Sequence, residues 1–249
     1  MRYFLKLSYD GTPFHGWQRQ PNADSVQQTI EEALSKMLRR ETTITGAGRT
    51  DTGVHARMMY AHFDCEDFIN PMQFLSSINK MVGNKIAIDN ILRVRDDAHA
   101  RFDALSRTYK YYISLRKNPF SFPFTHYMHH LPDIEQMNCA ARCLLETDDF
   151  TSFAKLHTDT KTNICKVTEA FWHYDKHSDI IMFKISADRF LRNMVRSVVG
   201  TLLEVGTGKI DQAEFLNIIL KKNRCAAGMS MPAKGLFLTD IQYPSEIFI

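Results

Sequence analysis

Along this chain the hydrophobic period changes from two to about 3.6 and back in the same order twice, and that order restricts the fold more than any other property of the sequence. From 3 to 9 the side chains alternate, with Tyr3, Leu5 and Leu7 on one side, and Asp10-Gly11-Thr12-Pro13 then supplies turn chemistry. From Ser25 the apolar positions Val26, Ile30, Leu34, Met37 and Leu38 recur at helical spacing, and Ser25 with Gln28 fits a capping box. Strands are expected at 42–44 and 58–63, on either side of the glycine-bearing stretch 46–53. Asn70-Pro71 opens a second helix carrying Phe74, Leu75, Ile78, Met81 and Val82, which Gly83 can close, and a strand at 86–94 follows.

The second half takes the same order. A strand is expected at 108–115, a helix at 134–145 and a strand pair at 167–174 and 180–186. A helix from about 190 carries Leu191, Met194, Val195, Val198, Val199, Leu202 and Leu203; another begins at Asp211 with Glu214 as its box partner, and 236–241 closes the series. The plan reads β-α-β-β-α-β, used twice, without clear sequence identity between the halves. It predicts an α+β chain of two related halves, 1–105 and 106–249, divided at Ser106-Arg107, with a central, mainly antiparallel sheet and an active-site cleft.

Composition narrows the classes of function. With 249 residues, 44% of them apolar, the chain can bury a substantial core. Met1-Arg2-Tyr3-Phe4-Leu5-Lys6 puts charges where a signal core would be apolar, and no apolar run approaches a membrane span, so the expected location is the cytoplasm. Five cysteines without a C-x-x-C pair are expected to be reduced thiols. Cys139 and Cys143 stand four apart on a helix, but no His or carboxylate at ligand spacing joins them; they read as core, and no metal is expected. A net charge of +3 does not by itself announce a nucleic-acid partner. Its modest surplus sits after residue 103, where 18 basic side chains face 15 acidic ones. Arg19, Arg49, Arg107, Arg189, Arg192 and Arg196 fall in turn-like or helix-edge segments that could build a local basic surface; taken singly, each reads as a solvated charge.

Chemistry must come from side chains, because there is no Walker loop, no G-x-G-x-x-G after a strand, no H-E-x-x-H and no G-x-S-x-G. Three segments stand out. In Gly46-Ala47-Gly48-Arg49-Thr50-Asp51-Thr52-Gly53-Val54-His55-Ala56, glycines permit close backbone approach while Arg49 and His55 flank a single carboxylate. Asp51 is either a poised catalytic group or a turn cap, and His55 either a base or ligand or a structural histidine. In Arg107-Thr108-Tyr109-Lys110-Tyr111-Tyr112, alternation turns Tyr109 and Tyr111 to one face and Lys110 to the other. That is an ordinary aromatic strand or a surface for unstacked bases. In the third, Arg196 interrupts a strongly apolar helix; facing inward it requires a carboxylate and would favour an ionised aspartate, facing outward it is solvated.

These segments resemble the tRNA pseudouridine synthase A family over nearly the whole chain. The matching stretches are Tyr9-Asp10-Gly11-Thr12 with Gly16-Trp17-Gln18-Arg19-Gln20, then Gly48-Arg49-Thr50-Asp51 with Gly53-Val54-His55, then His99-Ala100-Arg101-Phe102 leading to Arg107-Thr108-Tyr109-Lys110-Tyr111. Downstream follow Asp149-Phe150 with Phe153, Phe190-Leu191 with Met194-Val195-Arg196 and Val199-Gly200, and Gly235-Leu236. The resemblance implies a pseudouridine-synthase-like fold and a homodimeric, cofactor-free isomerase acting on uridines of the tRNA anticodon arm, positions thirty-eight to forty. It places Asp51 as the essential aspartate, Tyr109 against the target uracil, Arg196 as the aspartate's basic partner and Leu236 near the base.

On that reading Asp51 attacks the anomeric carbon or removes a ribose proton to give a glycal, two routes that both need an ionised carboxylate. Tyr109 would stack on the detached uracil and take the carbon-five proton. Arg49 would assist extrusion of the nucleotide, with Arg19, Arg107, Lys110, Arg189 and Arg192 as phosphate contacts. Thr52 stands where the family commonly has alanine, and Met229-Ser230-Met231-Pro232 replaces smaller residues, which leaves the packing around the pocket in question. Two other classes are consistent with the residues alone: a hydrolase of glycosidic bonds, which usually needs a second carboxylate, and a noncatalytic RNA-binding module.

Overall fold

A computed structural model describes residues 1–66, 68–155 and 161–249. The chain forms two compact units, one of residues 1–105 with 237–249, the other of 106–236. The first unit contains β1 (Arg2–Tyr9), α1 (Val26–Leu38), β2 (Thr45–Gly46), β3 (His55–Asp64), α2 (Pro71–Met81) and β4 (Ile86–Val94). β1 lies between β3 and β4, antiparallel to both, with Leu5 opposite Ala61 on one side and Ile91 on the other. The alternation of 3–9 suggested a strand with one face in solvent, yet Phe4 is as fully buried as Leu5 and Leu7. Its ring meets Tyr243 at 5.3 Å and Phe248 at 6.2 Å, so residues near the C-terminus cover the second face. On the other face Tyr3 stacks on Phe63 and Phe63 on Phe74 of α2. Fully burying side chains of this size contributes about 1.5–3 kcal/mol each.

Local chemistry sets the helix ends. The Ser25 side chain accepts from the Gln28 N–H, and Asn70 from Gln73 with Pro71 in the first turn, as their sequences indicate. The box at Ser25 is made in one direction only, because the Gln28 amide donates to Glu32 instead. Gly83, at φ +73°, follows the end of α2. The strand expected at 42–44 does not form. Side chains of α1 take its backbone donors: Ser35 Oγ accepts from Thr42 N–H at 2.9 Å and Glu31 Oε1 from Ile44 N–H at 3.1 Å. Sheet pairing starts one residue later, with Thr45 opposite His62.

The second unit contains β5 (Ser106–Ser114), β6 (His126–Tyr127), α3 (Ile134–Ala141), β7 (Val167–Asp175), β8 (Ile180–Ala187), α4 (Met194–Gly206) and α5 (Gln212–Leu220). β8 runs antiparallel between β5 and β7, while β6 pairs parallel with β5. The helix expected at 134–145 is α-helical only to Ala141 and finishes as a 3-10 turn at Arg142–Leu145. The helix expected from about 190 begins at Met194, because Asn193 sits in the left-handed region at φ +65° and breaks any helix through it. α4 is buried nearly all round, and Tyr111, Phe150, Phe153, Phe183 and Phe215 are likewise fully buried in the unit. Finally β9 (Leu236–Gln242) leaves the second unit after Leu236 and pairs parallel with β3, Phe237 opposite His55. Both units are mixed α+β with mainly antiparallel strands. Among the described residues no helix is long and apolar enough to cross a membrane.

Candidate active site

Asp51 lies in the short connection between β2 and β3, half-buried, and a loop from 9 to 17 braces that connection. Tyr9, at the end of β1, has its hydroxyl 2.8 Å from the Thr50 hydroxyl. The Trp17 N–H donates to the Thr50 carbonyl at 3.2 Å, and the Gly53 N–H to the Phe14 carbonyl at 3.3 Å. The aspartate's own carbonyl accepts from the Val54 N–H at 3.1 Å, closing a turn. Two glycines make the bracing possible. Gly16 has φ +94° and a Cβ there would stand 2.6 Å from the Thr50 oxygen; a Cβ on Gly11 would stand 2.0 Å from the Val54 oxygen. Gly48 faces open space, and Arg49 beside it is exposed.

His55 is 1% exposed, and its Nδ1 accepts from the Gly11 N–H at 3.0 Å while the ring stacks on Phe237 at 4.5 Å. Nδ1 also lies 3.3 Å from Asp10 Oδ1, but a nitrogen that accepts from Gly11 does not donate to Asp10, so this approach is not an ion pair. Of the two sequence readings of His55, the packed structural one fits this geometry. Asp10 itself accepts from Lys85 at 2.7 Å and from Thr12. Burial works against its charge, yet the bonds from Lys85 and Thr12 together hold its carboxyl down at about 2.

The other candidates fall in the second unit. Tyr109 lies on β5 opposite Ile185, half-buried, and its ring meets Phe190 edge-on at 5.0 Å. Tyr111 is fully buried, and its hydroxyl donates to the Pro232 carbonyl at 2.9 Å. Burial pushes the Tyr111 phenol up, against the pull of the Arg196 charge. Arg196, half-buried in the first turn of α4, donates from Nε to the Met231 carbonyl at 2.5 Å, and Ser230 accepts from Asn193 at 2.5 Å and from Arg224 at 2.9 Å. The unusual 229–232 segment is therefore tied to the start of α4. Leu236 is 5% exposed at the start of β9.

The four arginines and one lysine considered for phosphate differ in their surroundings. Arg19 places Nη1 3.1 Å from the buried Glu31, and Arg107 donates to the Asp188 carbonyl at 2.7 Å. Lys110 lies opposite Lys184, whose charge is met by Glu169 at 2.7 Å; Arg192 is exposed and Arg189 partly so. Among the described residues no group of three or more His, Cys, Asp and Glu could hold a metal, and all five cysteines are free thiols.

The residues that brace Asp51 lie in the stretches whose order and spacing run through the whole chain, and comparison with known proteins decides what they belong to. The family described as tRNA pseudouridine synthase matches residues 7–103 and 140–244. This chain belongs to the tRNA pseudouridine synthase family. Among its relatives, the tRNA pseudouridine synthase A of Bacteroides thetaiotaomicron is 50% identical over 99% of this chain and 92% of its own length. The protein of that name from Parabacteroides distasonis is 51% identical over 99% and 98%. Another, from Acetivibrio thermocellus, is 38% identical over 96% and 98%. Within this synthase the sequence alone missed the brace: Tyr9, Gly11, Gly16 and Trp17 are in matching stretches, but no local periodicity connects them with Thr50.

Proposed function

We propose that this synthase isomerises uridine to pseudouridine in the anticodon arm of tRNA, at positions thirty-eight to forty, with Asp51 as the essential carboxylate and without a cofactor. The observation that carries it is that the family match runs unbroken through the braced loop holding Asp51. The reaction cleaves the bond from ribose to the ring nitrogen, turns the uracil and rejoins it at carbon five, which transfers no electrons to or from an external partner. Asp51 attacks the anomeric carbon or abstracts a ribose proton, and either step requires its ionised form.

Residues of the second unit complete the proposal. Arg196, oriented through its Nε bond to Met231, is the cation that favours ionised Asp51. Tyr109 stacks on the detached uracil, and Leu236 packs near the base. Arg49, exposed beside Asp51, assists extrusion of the nucleotide, which costs a few kcal/mol. Arg19, Arg107, Lys110, Arg189 and Arg192 contact phosphate, Arg19 with the nitrogens it does not turn to Glu31. The protein works as a homodimer in the cytoplasm.

The test is tritium release from tRNA labelled on carbon five of uridine, without metal or nucleotide, by the parent and by a folded Asp51→Asn variant. Release by the parent alone, with pseudouridine mapped to the anticodon arm, is expected. A folded, tRNA-binding parent that releases nothing overturns the assignment, and free uracil would make the protein a hydrolase.

A further inference from the structure

The second unit carries an aromatic loop that the reaction above does not use. Between β5 and β6, Phe120 is 90% exposed, Phe122 56% and Phe124 37%. Three large apolar rings within five residues, facing water, are an unusual expense for a folded surface and mark a contact site. They are also held in place. Asn118 organises the loop, its Oδ1 accepting from Phe120 N–H at 2.9 Å and its carbonyl from Phe122 N–H at 2.9 Å. The Ser121 carbonyl accepts from Phe124 N–H at 2.9 Å and from the Thr125 hydroxyl at 3.0 Å. The rings are thus displayed on an internally bonded scaffold, and little order has to be created on binding.

The electrostatic setting selects the partner. Residues 115–132 contain no carboxylate but do contain Arg116, Lys117, His126, His129 and His130. Arg116 pairs with Asp179 across the strand ends, whereas Lys117 is exposed. The ammonium of Lys234 lies 3.4 Å from the centre of the Phe122 ring, and burial there lowers its affinity for a proton. Lys234 precedes Gly235, whose Cβ position would stand 2.8 Å from the Tyr111 ring, so this lysine joins the loop to the segment carrying Leu236. Flat exposed rings interleaved with cations and free of carboxylates suit bases that have left a helix, with the backbone held by the cations.

We propose that Phe120 and Phe122, with Lys117 and Lys234, form a stacking platform for unpaired nucleotides of the tRNA substrate, in addition to the residues that handle the target uridine. The proposal rests on the tRNA reading above and extends it. A second copy of this chain is the competing occupant, which the test below distinguishes.

The experiment measures tRNA affinity by fluorescence anisotropy at fixed salt, in full-length protein carrying Asp51→Asn so that turnover does not intervene. Phe120→Ala/Phe122→Ala is expected to raise the dissociation constant about tenfold or more, since each base stacked on an aromatic ring is worth at least several-fold in affinity. Phe120→Trp should retain affinity, and Phe171→Ala, an exposed phenylalanine on β7, should leave it unchanged. An unchanged dissociation constant in a double variant with the parental unfolding midpoint overturns the platform. So does a shift from dimer to monomer in sedimentation without loss of affinity per chain, which would assign the loop to a second copy. Should the double variant fold poorly, Phe120→Ser alone, at a ring 90% exposed, is read by the same two criteria. Lost affinity in the variant together with no tritium release by the Asp51-bearing parent would keep the platform and remove the isomerase reading.

Discussion

The hydroxyls of Tyr9 and Thr50 lie 2.8 Å apart in a buried pair, joining positions 41 residues apart in sequence immediately before Asp51. The carboxylate is thereby referenced to the end of β1, a strand paired on both sides. Tyr9→Phe should destabilise the protein by about 1–3 kcal/mol, the cost of leaving a buried hydroxyl without its partner. Turnover should fall with little change in tRNA affinity, because the loop is less well placed while binding surfaces are untouched. Thr50→Val should cost a similar amount, and the double variant less than the sum. Additive losses in that cycle would show that the two hydroxyls do not act as a pair.

Two glycines of the matching stretches should respond in opposite ways to the same change. Gly11→Ala brings a Cβ to 2.0 Å of a backbone oxygen of the loop after Asp51, where only backbone movement gives relief. A loss of about 3 kcal/mol or more is expected, together with most of the activity. Gly48→Ala adds its methyl to open space and should leave the urea midpoint within about 0.5 kcal/mol of the parent. A soluble, fully active Gly11→Ala would contradict the close approach described here.

Acid should weaken the first unit in two steps. Burial, aided by Arg2 and His99 and opposed by Asp64 and Asp103, draws the His62 imidazole down to about 4 from its ordinary 6.5. The unfolded chain then binds more protons than the folded one between those values, so the stabilisation is fully present above about 6.5 and is lost as pH falls toward 4. His99 in the same unit, lowered by burial, acts in the same sense, and His126 does so in the second unit. The His62 part is on the order of 2–3 kcal/mol. Asp10, held at about 2, adds a separate loss below its ordinary 3.8. Urea midpoints at intervals from pH 7 to pH 3 should slope downward from 6.5, and His62→Gln, which keeps an acceptor for the Ala100 N–H, should flatten the upper part.

Arg196 offers a test of the electrostatic half of the proposed mechanism. Arg196→Met removes the charge and the Nε donor to Met231. Turnover should drop about a hundredfold, within the range of losses for removal of a group that stabilises reacting charge. Arg196→Lys keeps a charge without the planar donor and should sit between the two. Turnover within about threefold of the parent in a folded Arg196→Met variant would mean that Arg196 does not act on the aspartate.

Strong local signals were readable in the sequence. Ser25, Asn70 and Asp211 each accept a backbone N–H at the start of a helix, and the strand at Ile86–Val94 has the boundaries that its pattern predicts. Longer-range effects were not. Residues 42–44 have the composition of a strand, but Ser35 and Glu31 satisfy their backbone first. The apolar run near Phe190 continues a helical period that Asn193 interrupts through its backbone conformation. At the candidate site, local spacing left Asp51, Tyr109 and Arg196 open and only the family resemblance singled them out, while the brace through Tyr9, Gly11, Gly16 and Trp17 joins positions too far apart for any window of periodicity to connect.

The course of β9 has a consequence for synthesis. The strand that pairs with the start of β3, and the Tyr243 and Phe248 rings that cover Phe4, are translated only after the entire second unit. The N-terminal region therefore leaves the ribosome with one strand edge unpaired and one apolar face bare, and it cannot mature in the order in which it is made. Nascent chains halted near residue 236 should engage chaperones through their oldest segment rather than their newest.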